Sequence, residues 1–430
     1  MIYTQESFTF PCSCGKEHRI LSGGIVIEGG ALRDWREHAA AFGLETAGEA
    51  LRNTVAVYDQ NTYRATEGRR PSGVTEIVLD PVGLHADELA TARVLHLLGE
   101  RAPRAHLLWA VGAGTVHDIT RYCAAELGIP FISVPTAASV DGFASTVAAM
   151  TWHGYKKTVP AVAPALVLAD LDIISRAPMR LTRSGMGDLL GKYICLADWK
   201  ISHLLTGEYY CEGIAGLTRE AVQVAVESSA GLSTGSPQAY ERLTFGLILS
   251  GIAMQLTGNS RPASGAEHHI SHAVELGLCG PNDALHGEKV GVGTLLCAQA
   301  YRLFARLPGE ALPARRHPYH SPQRDVLEPV FGTLTESVLD ENKADCLEAV
   351  SSTALLGQWD AVRRELRTIP TEQELKMLYN RLGLKRSLEE IGVANAEREK
   401  LLYWSPFVRN RLTFMRALHL LVENPAGIRQ

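Results

Sequence analysis

The length, composition and charge of the chain exclude several classes of protein. At 430 residues the chain is too long for a single typical hydrophobic core, so we expect two domains. Hydrophobic residues make up 46% and charged residues 21%, as in ordinary globular proteins. The net charge of −5 argues against a nucleic-acid partner, which would require a basic surface. Because the N-terminus lacks signal-peptide features and the apolar run at 245–256 is too short to cross a bilayer, we expect a cytoplasmic protein without membrane insertion.

The first half of the chain alternates short apolar runs with helical patterns. Near-continuous apolar strands that alternate with helices are typical of a mostly parallel sheet covered on both faces. We therefore predict an α/β nucleotide-binding domain over residues 1–175. Its strands are predicted at residues 23–29, 54–59, 75–80, 106–112, 130–136 and 165–174.

From about residue 176 the strand patterns disappear and helical periodicity replaces them. Pro, Gly and Asn residues mark the ends of the helical stretches, as expected of helix stop signals. We therefore predict an all-α domain over residues 176–430. The clearest helical stretches are at residues 218–231, 240–258, 264–277, 288–307 and 385–422.

A short motif near the N-terminus, PCSCGKEH, resembles half of a zinc-binding knuckle. Cys12, Cys14 and His18 could ligate a metal, but a structural zinc site needs four ligands, usually with wider spacing between paired cysteines. No second pair lies nearby in the sequence, so we favour a tight turn at this motif. Most of the eight cysteines lie in apolar stretches, which suits reduced thiols in a cytoplasmic protein.

A glycine turn follows one of the predicted strands in the segment LLWAVGAGTVHD. Gly112 and Gly114 let the backbone turn sharply and let a pyrophosphate approach the N-terminus of the next helix, where N–H groups bind anions. The full G-x-G-x-x-G fingerprint is missing because position 117 is histidine. Asp59 ends an earlier strand and could bind a ribose, although it precedes the glycine turn. Together with the loop of small polar residues at 134–145, this turn favours a dinucleotide cleft.

Three segments of the second half carry candidate metal ligands: GMGDLLGK, SGAEHHISHAVE and HGEKVGVG. Asp188 has glycines on both sides of it in its motif, and His286 begins a predicted helix. His268 and His272 are four residues apart and share one helix face. Two imidazoles and a carboxylate suit Zn²⁺, Ni²⁺ or Fe²⁺ and leave a coordination position open. Each histidine alone could be a hydrogen-bonded core residue, but their clustering favours a metal, and Glu267 could support it as an outer partner or spare ligand.

The segments GAGTVHD, PTAASVDG, GMGDLLGK, SRPASGAEHHISH and HGEKVG together resemble those of glycerol-1-phosphate dehydrogenases. These enzymes belong to a wider metal-dependent group with iron-containing alcohol dehydrogenases, glycerol dehydrogenase and dehydroquinate synthase. The resemblance extends from about residue 20 to about residue 300, and PCSCGKEH resembles the bacterial branch. It implies NAD or NADP as cofactor, one divalent metal ion, a homodimer, and an active site in the cleft between the two domains.

The resemblance also implies roles for individual residues. The metal ligands would be Asp188, His268 and His286, with Asp141 on the substrate side and His272 close to the metal. The cofactor-binding residues would be Gly112, Gly114, Thr115, Asp118, Thr136 and Ser139. The expected reaction is reversible reduction of dihydroxyacetone phosphate to sn-glycerol 1-phosphate, in which the metal polarises the C2 oxygen for hydride transfer.

The phosphorylated three-carbon substrate also requires groups that hold its phosphate and transfer a proton. Lys157 and Arg261 are the preferred cations for the phosphate. His272, Asp141 or a metal-bound water could relay the proton to the C2 oxygen, and the sequence does not rank them.

Other functions share these features. A sugar-phosphate cyclase of the dehydroquinate synthase type would use the same domains, metal and NAD without net redox change, but that branch typically has Glu where this chain has Asp188. A different polyol or alcohol dehydrogenase would differ only in its substrate. A non-catalytic metal- or nucleotide-binding module would bind without turnover. The choice between NAD and NADP stays open, although Asp59 favours NAD because its carboxylate would repel a 2′-phosphate.

Overall fold

The computed structural model describes residues 1–313 and 318–424, and nine β-strands lie in this part of the chain. The strands are β1 (Ile2–Thr4), β2 (Gly24–Glu28), β3 (Thr54–Asp59), β4 (Thr75–Leu79), β5 (Leu107–Gly112), β6 (Phe131–Pro135), β7 (Val147–Trp152), β8 (Tyr155–Pro160) and β9 (Leu166–Asp170). Seven of them form one sheet in the order β1-β2-β9-β6-β5-β3-β4, parallel except for β1. The prediction of a mostly parallel sheet is therefore confirmed.

The two faces of the sheet are both buried, which explains why its strands are apolar at nearly every position. Successive residues of β5 face opposite sides: Trp109 packs with Trp35 in one hydrophobic core, at 5.1 Å between ring centroids. Leu108 packs with Val94 and Ile119 in the other core. Burying each such side chain contributes about 1.5–3 kcal/mol to folding. The sequence therefore specifies the sheet through burial on both faces.

β7 and β8 form an antiparallel hairpin that the sequence analysis did not predict. Its turn residues, His153 (φ 50°) and Gly154 (φ 78°), both have left-handed backbone, as in the two-residue turns that match the twist of a hairpin. β8 carries Lys156 and Lys157, and most of its residues are exposed or partly exposed. No apolar alternation therefore marks this strand in the sequence.

The helices of the first part of the chain connect the strands. α6 occupies the end of the predicted strand 165–174, because the Asp170 carboxylate caps the helix by accepting the Asp172 N–H at 3.0 Å. The helices are α1 (Trp35–Ala41), α2 (Gly48–Arg52), α3 (Gln60–Ala65), α4 (Glu88–Arg101), α5 (Gly114–Leu127), α6 (Leu171–Ile174) and α7 (Met179–Leu190).

Beyond residue 170 the described part of the chain contains helices and no strands, which confirms the predicted helical second half. The predicted helical run at 385–422 is interrupted and includes only short helices. No helix among the described residues has both the length and the apolar character needed to cross a bilayer. The helices are α8 (Lys192–Thr206), α9 (Glu212–Leu232), α10 (Pro237–Thr257), α11 (Ala266–Glu275), α12 (His286–Phe304), α13 (Arg324–Phe331), α14 (Thr335–Glu341), α15 (Ser352–Gly357), α16 (Trp359–Thr368), α17 (Glu372–Leu382), α18 (Arg398–Trp404) and α19 (Phe414–Ala417).

The contacts within the chain divide it into two units. One unit combines Met1–Leu189 with Gly216–Ser260 and contains the sheet, most of α9, and α10. The other combines Leu190–Ala215 with Arg261–Gln430 and is helical in its described residues. The predicted domain boundary at 175/176 stays a prediction, since these units are defined by packing and neither corresponds to one continuous half.

A buried aspartate organises the helical unit. Asp198 on α8 accepts hydrogen bonds from the Tyr301 hydroxyl (2.8 Å) and from the N–H groups of Phe414 (2.7 Å) and Ala266 (2.8 Å). Burial, reinforced by the nearby Glu267 carboxylate, raises the pKa of Asp198 to about 7. Because these donors belong to α12, α19 and α11, Asp198 fixes the start of α11 relative to its neighbours.

A buried arginine has a similar role in the unit that contains the sheet. Arg121 on α5 donates to the carbonyl oxygens of Gly142 (2.5 Å), Phe143 (3.1 Å) and Val147 (3.1 Å), and pairs with Asp118 at 3.1 Å. These carbonyls belong to the loop that follows strand β6 and to the first residue of β7. Arg121 therefore holds this loop against α5.

We expect Arg121→Met to lower the free energy of unfolding by about 3 kcal/mol, because it leaves buried carbonyl oxygens and a carboxylate without their donor. Urea unfolding followed by circular dichroism measures this change. Arg104→Met is the matched control, since Arg104 is 80% exposed and its ion pair with Glu49 lies at the surface. Equal losses in the two variants would contradict the assigned role of Arg121.

Candidate metal centre and cofactor loop

Three predicted ligands from separate segments of the sequence come together in the structure. One ligand atom from each of Asp188, His268 and His286 lies within 4.8 Å of the other two. Asp188 and His268 are buried, and His286 is partly buried. A carboxylate and two imidazoles form a donor set that suits Zn²⁺, Ni²⁺ or Fe²⁺ and leaves coordination positions for substrate or water. These residues therefore fit one divalent cation.

The glycine that precedes Asp188 in its motif, Gly185, is required for steric reasons. A Cβ atom on Gly185 would lie 2.2 Å from the carbonyl oxygen of Ala138, so only glycine lets α7 approach the loop after β6 this closely. The approach lets the Asp141 N–H donate to Asp188 Oδ2 at 3.1 Å. The Ser184 hydroxyl donates to the carbonyl oxygen of the same loop at residue 139, at 3.1 Å. The backbone of this loop thus orients the carboxylate ligand.

His268 is oriented by its neighbour in the sequence. Its Nδ1 atom lies 2.6 Å from Glu267 Oε1, which also accepts the Gly265 N–H at 2.8 Å. Contact at Nδ1 favours Nε2 as the metal-ligating atom of His268, as in carboxylate–histidine–metal arrangements. Gly293 allows this part of α11 to pack on α12, because a Cβ there would lie 2.6 Å from the Glu267 carbonyl oxygen. Glu267 is therefore an outer partner, one of the two roles that the sequence allowed.

Glu275 is a candidate functional residue that the sequence motifs do not single out. Its Oε1 atom lies 3.0 Å from His286 Nδ1 and 3.4 Å from Lys289 Nζ, and its Oε2 atom lies 3.3 Å from His272 Nδ1. One carboxylate thus orients a metal ligand and the histidine beside it. Helical spacing could have revealed it, since Glu275 lies seven residues after His268 and three after His272 on one face of α11.

His272 lies beside the metal ligands. Its ring centroid is 6.2 Å from those of both His268 and His286, while those two rings are 5.3 Å apart. His269, by contrast, is buried at 1% exposure and neither ring nitrogen has a hydrogen-bond partner among the described residues. Burial and the nearby Arg411 lower its pKa well below the usual range. His269 is therefore a neutral core residue.

The glycine turn links β5 to α5 as the sequence predicts. A Cβ atom on Gly112 would lie 2.7 Å from Val116 Cβ, and the Gly112 carbonyl oxygen accepts the Thr136 N–H at 3.1 Å. α5 begins at Gly114 and has no side-chain cap, and Thr115 lies in its first turn. The N–H groups of this turn can therefore bind an anion.

His117 takes the place of the third glycine of the usual fingerprint. Its Nδ1 atom lies 3.0 Å from the Ala113 carbonyl oxygen, and its Nε2 atom lies 2.9 Å from Ser133 Oγ on β6. Burial lowers the pKa of this imidazole to about 3, so it is neutral. The side chain thus fastens the first turn of α5 to the sheet by hydrogen bonds.

The other predicted cofactor residues lie around this turn. Asp59 ends β3, which pairs in parallel with β5, so Asp59 and Gly112 lie at the same edge of the sheet. Asp59 also caps α3, since its Oδ1 atom accepts two backbone N–H groups at 2.7 and 2.9 Å. Asp118 pairs with Arg121. Ser139 is buried, and its hydroxyl has no partner among the described residues.

Comparison with known proteins connects this geometry to a family. A model described as iron-containing alcohol dehydrogenase matches residues 39–178. A glycerol-1-phosphate dehydrogenase that uses NAD(P)⁺, from Geobacillus stearothermophilus, is 34% identical over 96% of both chains. A second, from Bacillus licheniformis, is 39% identical over 68% of this chain and 73% of its own. The chain belongs to the glycerol-1-phosphate dehydrogenase family.

Solved structures of more distant relatives have a similar fold. A probable glycerol dehydrogenase from Sinorhizobium meliloti aligns with a TM-score of 0.60 at 16% identity, over 91% of this chain and 90% of its own. A sulfoacetaldehyde reductase from Bifidobacterium kashiwanohense, solved in complex with NAD⁺, aligns with a TM-score of 0.57 at 14% identity, over 94% and 97%. At these identities the similarity concerns the fold alone.

Arg261 and Lys157, the two residues predicted to bind the substrate phosphate, differ in burial and in their contacts. Arg261 is buried: its Nε donates to Glu208 (2.7 Å), Nη1 to the Leu412 carbonyl oxygen (2.8 Å), and Nη2 to Ser202 (3.0 Å) and Glu208. These contacts give Arg261 a structural role. Lys157 is exposed on β8.

We expect Glu275→Gln to weaken metal affinity 10- to 100-fold, because the amide cannot hold both histidines as a carboxylate does. Metal retained after dialysis against a graded chelator series measures the affinity. Glu389→Gln, an exposed change on the same helical unit, is the control and should retain metal like the unchanged protein. Undiminished affinity in Glu275→Gln would contradict the orienting role of Glu275.

Proposed function

We propose that this protein catalyses the reversible NAD(P)-dependent reduction of dihydroxyacetone phosphate to sn-glycerol 1-phosphate. The observation that carries the proposal is the grouping of Asp188, His268 and His286 in a member of this family. The relatives are named for oxidation of glycerol 1-phosphate with NAD(P)⁺, and oxidation at C2 of that compound gives dihydroxyacetone phosphate.

Each of the three proposed metal ligands is held by a neighbouring group of the protein. A divalent cation, when bound, supplies Lewis-acid polarisation of the substrate C2 oxygen. Asp188 is fixed by a backbone N–H, His268 by Glu267 and His286 by Glu275. Because each imidazole uses Nδ1 for a carboxylate, the ring keeps one orientation and presents its other nitrogen. This fixed geometry supports binding of one ion, of which Zn²⁺, Ni²⁺ and Fe²⁺ are the candidates.

The cofactor would bind at the carboxyl ends of β3, β5 and β6. The first turn of α5, from Gly114 and Thr115, would bind the pyrophosphate, and Gly112 gives the close approach that this requires. Asp59 would accept hydrogen bonds from a ribose hydroxyl. The further contacts in this proposal are Asp118, Thr136 and Ser139.

Proton transfer is assigned to His272. Its Nδ1 atom contacts Glu275, and a carboxylate at that position stabilises the imidazolium that forms when the ring accepts a proton. Asp141, in contrast, accepts the Ser250 hydroxyl at 2.8 Å and holds Asp188 through its backbone. Asp141 would therefore orient the substrate rather than shuttle the proton. Lys157 would bind the substrate phosphate, because Arg261 is committed to protein groups.

The family resemblance also supports a cytoplasmic homodimer. All eight cysteines lie in the described residues, and no disulfide joins any of them. Thiols without disulfides suit a reducing compartment. Light scattering on the purified protein distinguishes a dimer from a monomer.

The proposed reaction is tested by following NADH or NADPH oxidation with dihydroxyacetone phosphate. Protein stripped of metal should be inactive and should recover activity when Zn²⁺, Ni²⁺ or Fe²⁺ is returned. Unphosphorylated dihydroxyacetone should react at least tenfold less efficiently in kcat/KM, because it lacks the group that Lys157 would bind. Turnover of a sugar phosphate without net oxidation of NADH would instead identify a cyclase.

In the same assay, Asp188→Ala should lose bound metal and turnover together, by at least 100-fold in kcat. Its circular dichroism spectrum should be unchanged and it should still bind NADH, because the glycine turn at Gly112 and the first turn of α5 contain none of the metal ligands. Full activity of Asp188→Ala without metal would contradict the proposed mechanism.

We expect Asp59→Asn to shift the preference from NAD towards NADP by about tenfold in kcat/KM, because the carboxylate that repels a 2′-phosphate is lost. That tenfold change corresponds to about 1.4 kcal/mol. Asparagine caps a helix as well as aspartate, so α3 should stay intact and thermal stability should not change. The two coenzymes are compared in parallel kinetic measurements. An unchanged coenzyme ratio would remove Asp59 from the ribose site.

A further inference from the structure

The N-terminal cysteine motif folds into a turn that brings its side chains together. The positive φ of Gly15, 78°, allows the reversal between Cys14 and His18. Cys14 Sγ lies 3.1 Å from His18 Nε2. His18 is only 2% exposed, and its ring packs on Phe10 at 5.4 Å between centroids. The turn that the sequence predicts is therefore present, and it gathers a thiol and a buried imidazole.

A cysteine far along the sequence completes this group. Ligand atoms of Cys12, Cys14, His18 and Cys211 all lie within 4.8 Å of one another. Cys211 is fully buried and directly precedes α9, and its Sγ atom accepts the Ile214 N–H at 3.5 Å. The N-terminus of a long helix stabilises negative charge, which favours the thiolate form that binds metals.

We propose that Cys12, Cys14, His18 and Cys211 bind a structural Zn²⁺ ion. Tetrahedral zinc has Zn–S bonds of about 2.3 Å and Zn–N bonds of about 2.0 Å, which place ligand atoms roughly 3.5–3.8 Å apart. The group is already within an ångström or so of that spacing. Three thiolates and an imidazole select zinc over harder cations.

The number of protein ligands in this group indicates a structural role for the bound ion. Four protein ligands close the coordination sphere of zinc and leave no position for substrate. The ion would join the N-terminal segment to the residue that precedes α9. The site is independent of the Asp188 group and of the proposed reaction.

The signature of this site is sulfur ligation, which the Asp188 group cannot provide. Purified full-length protein should contain zinc at the cysteine group in addition to metal at Asp188, measured by mass spectrometry of the elements. After replacement of the metals by Co²⁺, the protein should show sulfur-to-cobalt charge-transfer absorption in the ultraviolet. Asp188→Ala should keep that absorption and lose only the other equivalent of metal.

Cys211→Ser and Cys14→Ser should each lose about one equivalent of zinc and the charge-transfer absorption. Cys279→Ser, which changes a partly buried thiol outside the group, is the matched control and should keep both. If the ligand variants do not fold, the cobalt spectrum of the unchanged chain still decides the question. Absence of sulfur-to-cobalt absorption in that chain, or a disulfide between Cys211 and Cys12 or Cys14 in the protein purified under reducing conditions, would overturn the proposal.

Discussion

The chemistry of this protein depends on holding imidazoles in one orientation so that a cation can bind to them. Glu267 fixes His268 at 2.6 Å, and Glu275 fixes His286 at 3.0 Å. A buried carboxylate is costly unless it is hydrogen-bonded, so the Gly265 N–H that donates to the buried Glu267 is part of the same requirement, and Lys289 pairs with the partly buried Glu275. The position of α11 is in turn fixed by Asp198, which accepts the Ala266 N–H. The metal centre is therefore supported by hydrogen bonds that reach well beyond its ligands.

The glycines of the motifs serve close backbone contacts. Gly185 lets α7 approach the loop after β6, Gly293 lets α12 approach α11, and Gly112 makes room for Val116. A larger residue would place its Cβ less than 3 Å from a neighbour at each of these positions. For Asp188 the positioning glycine, Gly185, lies in the same motif, whereas Gly293 acts on Glu267 in the preceding helix.

Local sequence patterns explain which strands and which site residues could be predicted from the sequence. The six parallel strands of the sheet are predicted from their apolar runs, because burial on both faces leaves few polar positions, whereas the short, largely exposed β1 is not. Asp188, His268 and His286 are predicted as metal ligands from their motifs and from the family resemblance, and the structure brings one ligand atom of each within 4.8 Å of the others. The β7–β8 hairpin was missed because its exposed, lysine-containing strand carries no alternation. Helical spacing could place Glu275 beside His272, but its contact with His286 on the next helix could not be predicted, because it depends on the packing of α11 against α12.

The two groups of metal-binding side chains differ in what each can do. Asp188, His268 and His286 supply three ligands, so a bound ion keeps a position that a substrate oxygen can occupy. The group of Cys12, Cys14, His18 and Cys211 supplies four and would leave none. Only the first group therefore leaves a position that a substrate oxygen could occupy. The proposed zinc ion of the second group would have a structural role alone, as an anchor of the N-terminal segment.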